Sequence, residues 1–420
     1  MSIRGSFKLI KPIVSALSSF CLLASFAFSQ SATAAGSNTI LVCTKPGANV
    51  QKIKEQLISC GCTILKVAPC NSAKFSVLQV VPNNGNVAAT LSTINSVVKN
   101  ITAAEKTPLA IPQAFQNASC MPDDPDFPGQ YALQAMKWSE ARCTLRLLGI
   151  NQRAVPRLTL IDTGCNRVPS GSEMINLQQF NFAGGVLGVP EVPFSGGLHG
   201  TAVLGLAAAR TNNETFLAGV ASHNLPVTVT SCRISNDDAN IDTFDVINAM
   251  MWCVDNQSAR GGPGAINISL NSTALPTYNG SSIIQEIAQS ARKQGDLFVN
   301  GSGNEGIIDP SPERFIRRVT GLDENNLKPA LFNSGPLFNA ACPATNIATF
   351  FSPNTIGFAT GTSLACIHWA GCISLLQSLN PKLNAPKADA IIYRSCDTTS
   401  EGYKIPNVNK AVLQTLLLPW

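Results

Sequence analysis

The sequence predicts an α/β fold: a mostly parallel sheet with helices on both faces, preceded by a small α+β unit. Three observations lead there. Beyond about residue 130 the runs LTLID, VTVTSCRI, AINISL and DLFVN are apolar and β-branched with little polar interruption, as strands covered on both faces must be. Helical segments beginning near Leu198, Asp242, Ser281 and Thr362 alternate with them, the order that builds a parallel sheet. Ahead of these, residues 39–106 carry a shorter and different order of elements.

That earlier part reads in sequence as strand TILVC, helix VQKIKEQLISC, strands TILKVA and KFSVLQVV, helix VAATLSTINSVV and a last strand in VKNITAAE. The order β-α-β-β-α-β is the ferredoxin-like arrangement. The next stretch, KTPLAIPQAFQNASCMPDDPDFPGQ, is rich in Pro, Asp and small residues without periodicity, and reads as a linker. At 420 residues the chain accommodates two or three domains of ~100–200 residues each.

Residues 1–35 have the features of a secretory signal. Arg4, Lys8 and Lys11 precede the apolar run PIVSALSSFCLLASFAF, and SATAAG offers small residues for cleavage after Ala34 or Ala35. The apolar run falls slightly short of the ~20 residues of a spanning helix and contains Ser, so removal is expected rather than anchoring. No later run reads as long enough to span a bilayer. Formal charge is +5, of which those three basic residues supply three, leaving +2 for the remainder. No compact Lys/Arg run is present, which argues against nucleic acid as a partner. Of fourteen cysteines, Cys21 leaves with the signal, four cluster from Cys43 to Cys70, and nine lie beyond. In an oxidising compartment disulfides are the default, with pairings that sequence does not define. Only three histidines and no repeated C-x-x-C make a zinc site a poor reading.

Three short motifs carry candidate chemistry. In LTLIDTGCN, Asp162 ends a buried strand at a Thr-Gly turn. In GGLHGTAVLGLAAA, His199 opens a helix beside Gly200, and in GTSLACIHWAG, Ser363 stands at the start of an apolar helix. Each has an ordinary structural reading when taken alone: a turn Asp, a structural His, an N-cap Ser. Together they supply what an activated hydroxyl requires. A serine is a poor nucleophile without an adjacent base, imidazole has a suitable pKa, and a buried carboxylate fixes the imidazole tautomer. A helix N-terminus beneath Ser363 adds donors that favour negative charge nearby.

With D-T-G, H-G-T-x-V and G-T-S-x-A in that order, the chain resembles the subtilisin-like serine peptidases (subtilases). The resemblance implies a subtilisin-like fold and an Asp162–His199–Ser363 triad. LFVNGSGNEG matches the family stretch whose Asn donates to the oxyanion, which implies that role for Asn304. AINISLNS resembles the strand that pairs with extended substrates, implying substrate contacts at Ser269, Leu270 and Asn271, with Gly301, Ser302 and Gly303 opposite. DPDFPGQYALQAMKWSEA resembles the opening of many subtilase domains, and residues 39–106 resemble the inhibitory propeptide that precedes them. The domain organisation so implied is signal peptide 1–35, propeptide 36–112 and peptidase domain 113–420. The function implied is a secreted, self-processing serine endopeptidase; the rival is a catalytically inactive subtilase-fold binding protein. Polypeptides would be its substrates and its own propeptide its inhibitor. A monomer without membrane anchor or nucleic acid is expected, with no cofactor for the chemistry and no residue assigned to a structural calcium ion. Departures from the family pattern are Ala202 in place of a second His, Ile367 in place of Pro, and Asn271 where Gly is usual. His223 and His368 read as structural, and Cys165 and Cys366 either pair or pack as small apolar groups.

Overall fold

The computed structural model describes residues 40–45, 47–70, 75–106, 120–166, 173, 176–191, 198–236, 241–270, 282–310, 314–352 and 354–418. The expected signal, most of the linker and Asn271 therefore lie outside the described residues. The chain divides into two compact units, 1–114 and 115–420.

In the first unit the elements are β1 (Ile40–Thr44), α1 (Val50–Ser59), β2 (Cys62–Cys70), β3 (Phe75–Pro82), α2 (Val87–Val97) and β4 (Ile101–Lys106). Their sheet order is β2-β3-β1-β4 with every pairing antiparallel, as the β-α-β-β-α-β reading requires. Both helices start on an Asn cap: Asn49 accepts from the Lys52 N–H and Asn86 from the Ala89 N–H, each at 3.1 Å. One face of each helix, Ile53 and Leu57 on α1 and Ile94 on α2, closes over Ile40, Val42, Leu78 and Val80.

The second unit has an α/β fold built on an eight-stranded sheet. Its strands are β5 (Arg157–Asp162), β6 (Asn176–Asn181), β7 (Val189–Glu191), β8 (Thr228–Arg233), β9 (Ala265–Ile268), β10 (Leu297–Gly301), β11 (Arg317–Leu322) and β12 (Ala341–Pro343). They lie in the order β12-β11-β10-β9-β5-β8-β6-β7. All pairings are parallel except β6 with β7. The central strands are buried along almost their whole length, which is why they read as unbroken apolar runs. Helices α3 (Leu198–Ala208) and α4 (Thr362–Leu379) pack with Leu158, Leu160, Val299 and Val319 in one core; α5 (Thr243–Asp255) and α6 (Ser282–Lys293) cover Ile161, Ile266 and Phe298 in another.

Helix α4 amends one expectation. At 18 residues it is long and apolar enough to cross a bilayer by length and composition, yet 94% of it is buried in the unit. Its hydrophobicity on all sides is that of a central core helix. Strand β11 carries charge that sequence reading does not expect. Arg317 of β11 pairs with Asp389 (2.7 Å) and neighbouring Arg318 with Asp309 (2.6 Å). The eleven cysteines described as to side chain are all thiols, so no disulfide joins them, although the Cys232 and Cys253 sulfurs lie 3.8 Å apart.

Where β9 and β10 begin, a buried ion pair holds the sheet to the loop after α5. Arg260 Nη2 lies 2.8 Å from Asp296 Oδ2, and both side chains are almost fully buried. Asp296 Oδ1 accepts the Gly264 N–H at 2.7 Å, while Arg260 reaches the Cys253 carbonyl and Thr159 Oγ1. Removing one partner strands the other charge in a low-dielectric interior. Asp296→Ala should lower the unfolding free energy by about 3–5 kcal/mol in chemical denaturation, and a loss under 1 kcal/mol would contradict this assignment.

Candidate active site

Asp162 is the last residue of β5 and is 1% exposed. Its Oδ1 accepts the Thr163 N–H at 2.6 Å and faces His199 Nδ1 at 2.7 Å. That carboxylate makes Nδ1 the protonated ring nitrogen and leaves Nε2 with its lone pair. His199 is the second residue of α3, and the glycine after it explains how the helix comes so close. Gly200 donates its N–H to Thr163 Oγ1 at 3.0 Å, and a Cβ there would meet the Gly164 carbonyl at 2.1 Å. Gly164 itself has φ +88°, which only glycine adopts cheaply.

Ser363 Oγ lies 3.2 Å from His199 Nε2. The N-cap reading of Ser363 is corrected: the cap of α4 is Gly361, and Ser363 is the second helical residue. Its hydroxyl is thereby not spent on the helix. It can donate to His199 or to the Ser269 carbonyl at 3.3 Å. Below it, Ser269 Oγ donates to the Ser363 carbonyl (3.4 Å) and accepts from Asn267 Nδ2 (2.6 Å), whose Oδ1 accepts from the Cys366 thiol (2.8 Å). Cys366 thus packs as a thiol under Ser363. Cys165 is likewise a buried thiol, 3.5 Å from Ser231 Oγ, and the two do not pair.

Asn304 follows β10, on the exposed side of the turn. Its Oδ1 accepts the Thr362 N–H at 2.9 Å, and the Gly303 N–H donates to Thr362 Oγ1 at 3.1 Å. Thr362 therefore ties this turn to the start of α4, next to Ser363. Holding Oδ1 leaves the Asn304 Nδ2 protons as the donor end of the amide. Gly303 has φ +109°, and a Cβ on Gly301 would come within 2.9 Å of Thr362 Oγ1. Ser302 turns the other way: its hydroxyl is fully buried and donates to the Asn333 carbonyl at 3.0 Å. Leu270 is partly buried against the α5/α6 core.

Sequence reading missed two supports of this site. Thr362 is one. Asn333 is the other: its amide accepts the N–H groups of Glu305 and Ile307 (both 3.0 Å) and donates to Ser302 O and Glu305 Oε2, fixing the segment that carries Asn304. Asn333 sits in an irregular stretch and carries no local signal, whereas Thr362 is legible as the residue before Ser363.

The family model for the subtilase family (peptidase S8) matches residues 159–411, which span all of these side chains. The chain belongs to the subtilase family. It is similar to a thermophilic serine proteinase of Bacillus sp. (strain AK1), at 25% identity over 343 residues that cover 81% of this chain and 77% of that protein. It also resembles thermitase of Thermoactinomyces vulgaris, at 26% over 267 residues covering 61% of this chain and 85% of the relative. Among solved structures, one titled as proteases from Pseudoalteromonas arctica PAMC 21717 shares the fold. Its TM-score is 0.58 and its identity 19%, over 70% of this chain and 99% of that one.

Within this subtilase the three histidines sit in different electrostatic surroundings. The charge of Asp162 raises the pKa of His199 above its ordinary value, against the effect of burial. Burial pushes His223 and His368 down to about 4, with Arg142 adding to the effect at His223. His368 Nδ1 lies 3.3 Å from the Pro343 carbonyl. For these two buried imidazoles the sign is that of a depressed base. Their contribution to stability is full above about 6.5 and is lost as pH falls towards about 4, because the unfolded chain takes up the protons. NMR titration of the three imidazoles should give one midpoint above ~6.5, which drops in Asp162→Asn, and two near 4. A His199 midpoint below ~6.5 in the parent protein would refute the coupling to Asp162.

Proposed function

We propose that this chain is a serine endopeptidase acting through Asp162, His199 and Ser363. The observation that carries the proposal is the continuous hydrogen-bonded path from carboxylate to imidazole to hydroxyl, 2.7 and 3.2 Å long, beside the donor end of Asn304. Neutral His199 takes the Ser363 proton through Nε2 as Oγ attacks a peptide carbonyl. Asp162 keeps the imidazole in the required tautomer and stabilises it once charged. The oxyanion is held by Asn304 Nδ2 and the Ser363 N–H, donors presented by a turn and a helix start that do not reorganise during the reaction. His199 then protonates the leaving amine, and a water molecule, deprotonated by the same imidazole, releases the acyl group from Ser363.

An extended substrate would lie along the end of β9 at Ser269 and Leu270, continuing to Asn271, and against Gly301–Gly303. Ser302 shapes this wall without a polar contact of its own, since its hydroxyl and carbonyl are committed to Asn333 and its N–H to the Val319 carbonyl. We assign residues 1–35 as an export signal, 36–112 as a self-cleaved inhibitory propeptide and 113–420 as the secreted, monomeric peptidase. Similarity to serine proteinases, among them subtilisin BL of Lederbergia lenta at 27% identity over 230 residues, supports the peptidase reading.

Calcium enters through the fold family. Among the described residues no three of His, Cys, Asp and Glu converge as a metal ligand set. The nearest candidate is the pair of buried carboxylates Asp124 and Glu173 around the Asn213 amide. Turned so that its nitrogen donates, that amide reaches Asp124 Oδ1 at 2.8 Å, the Arg210 carbonyl at 3.0 Å and the Thr215 carbonyl at 3.2 Å, so these oxygens are already satisfied. With the Asp124 and Glu173 carboxylates also accepting from Asn212 N–H, Arg210 N–H and the Thr215 hydroxyl, these residues do not fit a calcium site, and no catalytic step is routed through a metal.

Peptide hydrolysis and precursor maturation test the triad. Ser363→Ala should reduce turnover by ~10⁴–10⁶-fold and stop self-cleavage, whereas Asn304→Ala should lower kcat by ~10²–10³-fold with KM little changed. Unaided maturation of Ser363→Ala would overturn the proposal.

A further inference from the structure

Two of the described thiols face each other in the core beneath α5. The Cys232 and Cys253 sulfurs lie 3.8 Å apart, and both residues are fully buried. The thiols near the triad have polar partners of their own. Cys366 donates to Asn267 Oδ1 or the Val299 carbonyl, and Cys165 lies beside Ser231 Oγ. For Cys232 and Cys253, the one hydrogen-bond partner of each sulfur among the described residues is the other sulfur.

Both sulfurs are carried on fixed backbone. Cys232 lies in β8 between two parallel neighbours, in register with Ile161 of β5 and Phe180 of β6. Cys253 is in the last turn of α5, where its carbonyl accepts from Arg260 Nε at 2.9 Å and from Nη2 at 2.6 Å. At the start of α5, Asp245 accepts the N–H groups of Gly184 and Gly185 at 3.0 and 2.9 Å. The helix is thus tied down at both ends, and the approach of the two sulfurs follows from where strand and helix are held. A disulfide has its sulfurs ~2.05 Å apart, so about 1.8 Å must close, a gap within reach of rotation about the two Cα–Cβ bonds.

Burial also decides when such a bond can form. It holds the Cys232 thiol well above its ordinary pKa, so in the folded thiol form this group is a poor nucleophile. Exchange must therefore precede the closing of α5 onto the sheet, and the finished bond lies out of reach of reductants.

We propose that Cys232 and Cys253 form a structural disulfide, made during folding by exchange with a small-molecule disulfide or a disulfide-donating oxidoreductase. One cysteine thiolate attacks a sulfur of the donor and displaces one donor thiol. The second cysteine then attacks the protein sulfur of the mixed disulfide and displaces the other. The two cysteines lose two electrons and two protons, which leave with the donor as two thiols. The bond joins residues 21 apart and ties the C-terminal end of α5 to the sheet. The export assignment supplies the oxidising compartment, whereas the choice of partners rests on the geometry alone.

Mass mapping of the full-length Ser363→Ala chain tests this without self-digestion. The chain is refolded in reduced and oxidised glutathione, its free thiols are alkylated in denaturant, and it is cut with trypsin. Arg210, Arg233 and Arg260 bound the tryptic peptides 211–233 and 234–260, which carry one cysteine each, Cys232 and Cys253. The two peptides should appear as a single linked mass that separates on reduction, and in Cys253→Ala the Cys232 peptide should be alkylated instead. Native protein should keep the link in dithiothreitol and lose it once denaturant is added. Oxidised protein should melt above reduced protein, and that difference should be ~5 °C smaller in Cys232→Ala/Cys253→Ala. Both cysteines alkylated after refolding, either one linked to a third cysteine, or a link that dithiothreitol removes from the native protein would overturn the proposal.

Discussion

Everything at the candidate site depends on a parallel sheet ending along one edge. Because β5, β9 and β10 run the same way in register, Asp162, Ser269 and Gly301 finish side by side. Helices α3 and α4 then start at that edge, bringing in His199 and Ser363 in their first turns. The close contact of Gly200 with Gly164 sets how near α3 can come, and the Asp162–His199 bond at 2.7 Å is its consequence. A side chain at Gly200 would push the imidazole out of reach with every reactive side chain unchanged. Positioning here is a backbone property, and the reactive groups inherit it.

Electrostatics at that edge is arranged in one direction. Asp162 is buried and its charge is answered by the imidazole, which raises the His199 pKa; one carboxylate oxygen, Oδ2, remains without a partner among the described residues. Ser363 lies in the first turn of α4, where free N–H groups and the helix dipole favour negative charge. In the proposed reaction a developing imidazolium would meet a carboxylate, and a developing oxyanion would meet N–H donors. Elsewhere the sheet tolerates buried charge only when it is paired, as at Arg260–Asp296 and Arg318–Asp309.

What the sequence reveals and what it conceals follow from the range of the forces involved. The central strands were legible because burial on both faces forces an apolar run, and the triad was legible because its glycines and helix starts are local. Strand β6, NLQQFN, escaped notice because alternate residues face solvent, and β11 because Arg317 and Arg318 read as surface until their distant carboxylates are known. The N-cap reading of Ser363 failed on geometry: Gly361 occupies that place, two residues earlier. Asn333 was invisible, since its role in holding the Asn304 turn comes entirely from contacts about 30 residues away in the chain. Cysteine pairing was also beyond sequence, and nine of the eleven described thiols prove to be small buried packing groups, with Cys366 bonded to Asn267 beneath Ser363.

The central claim concerns one hydroxyl made reactive by one imidazole. The most direct measurement is the rate at which a fluorophosphonate modifies the protein, with the modified residue located by mass spectrometry in the parent chain and in His199→Ala. The account predicts a single label on Ser363 that becomes orders of magnitude slower without the imidazole. Labelling spread over several serines, or a Ser363 rate that His199→Ala leaves unchanged, would contradict it.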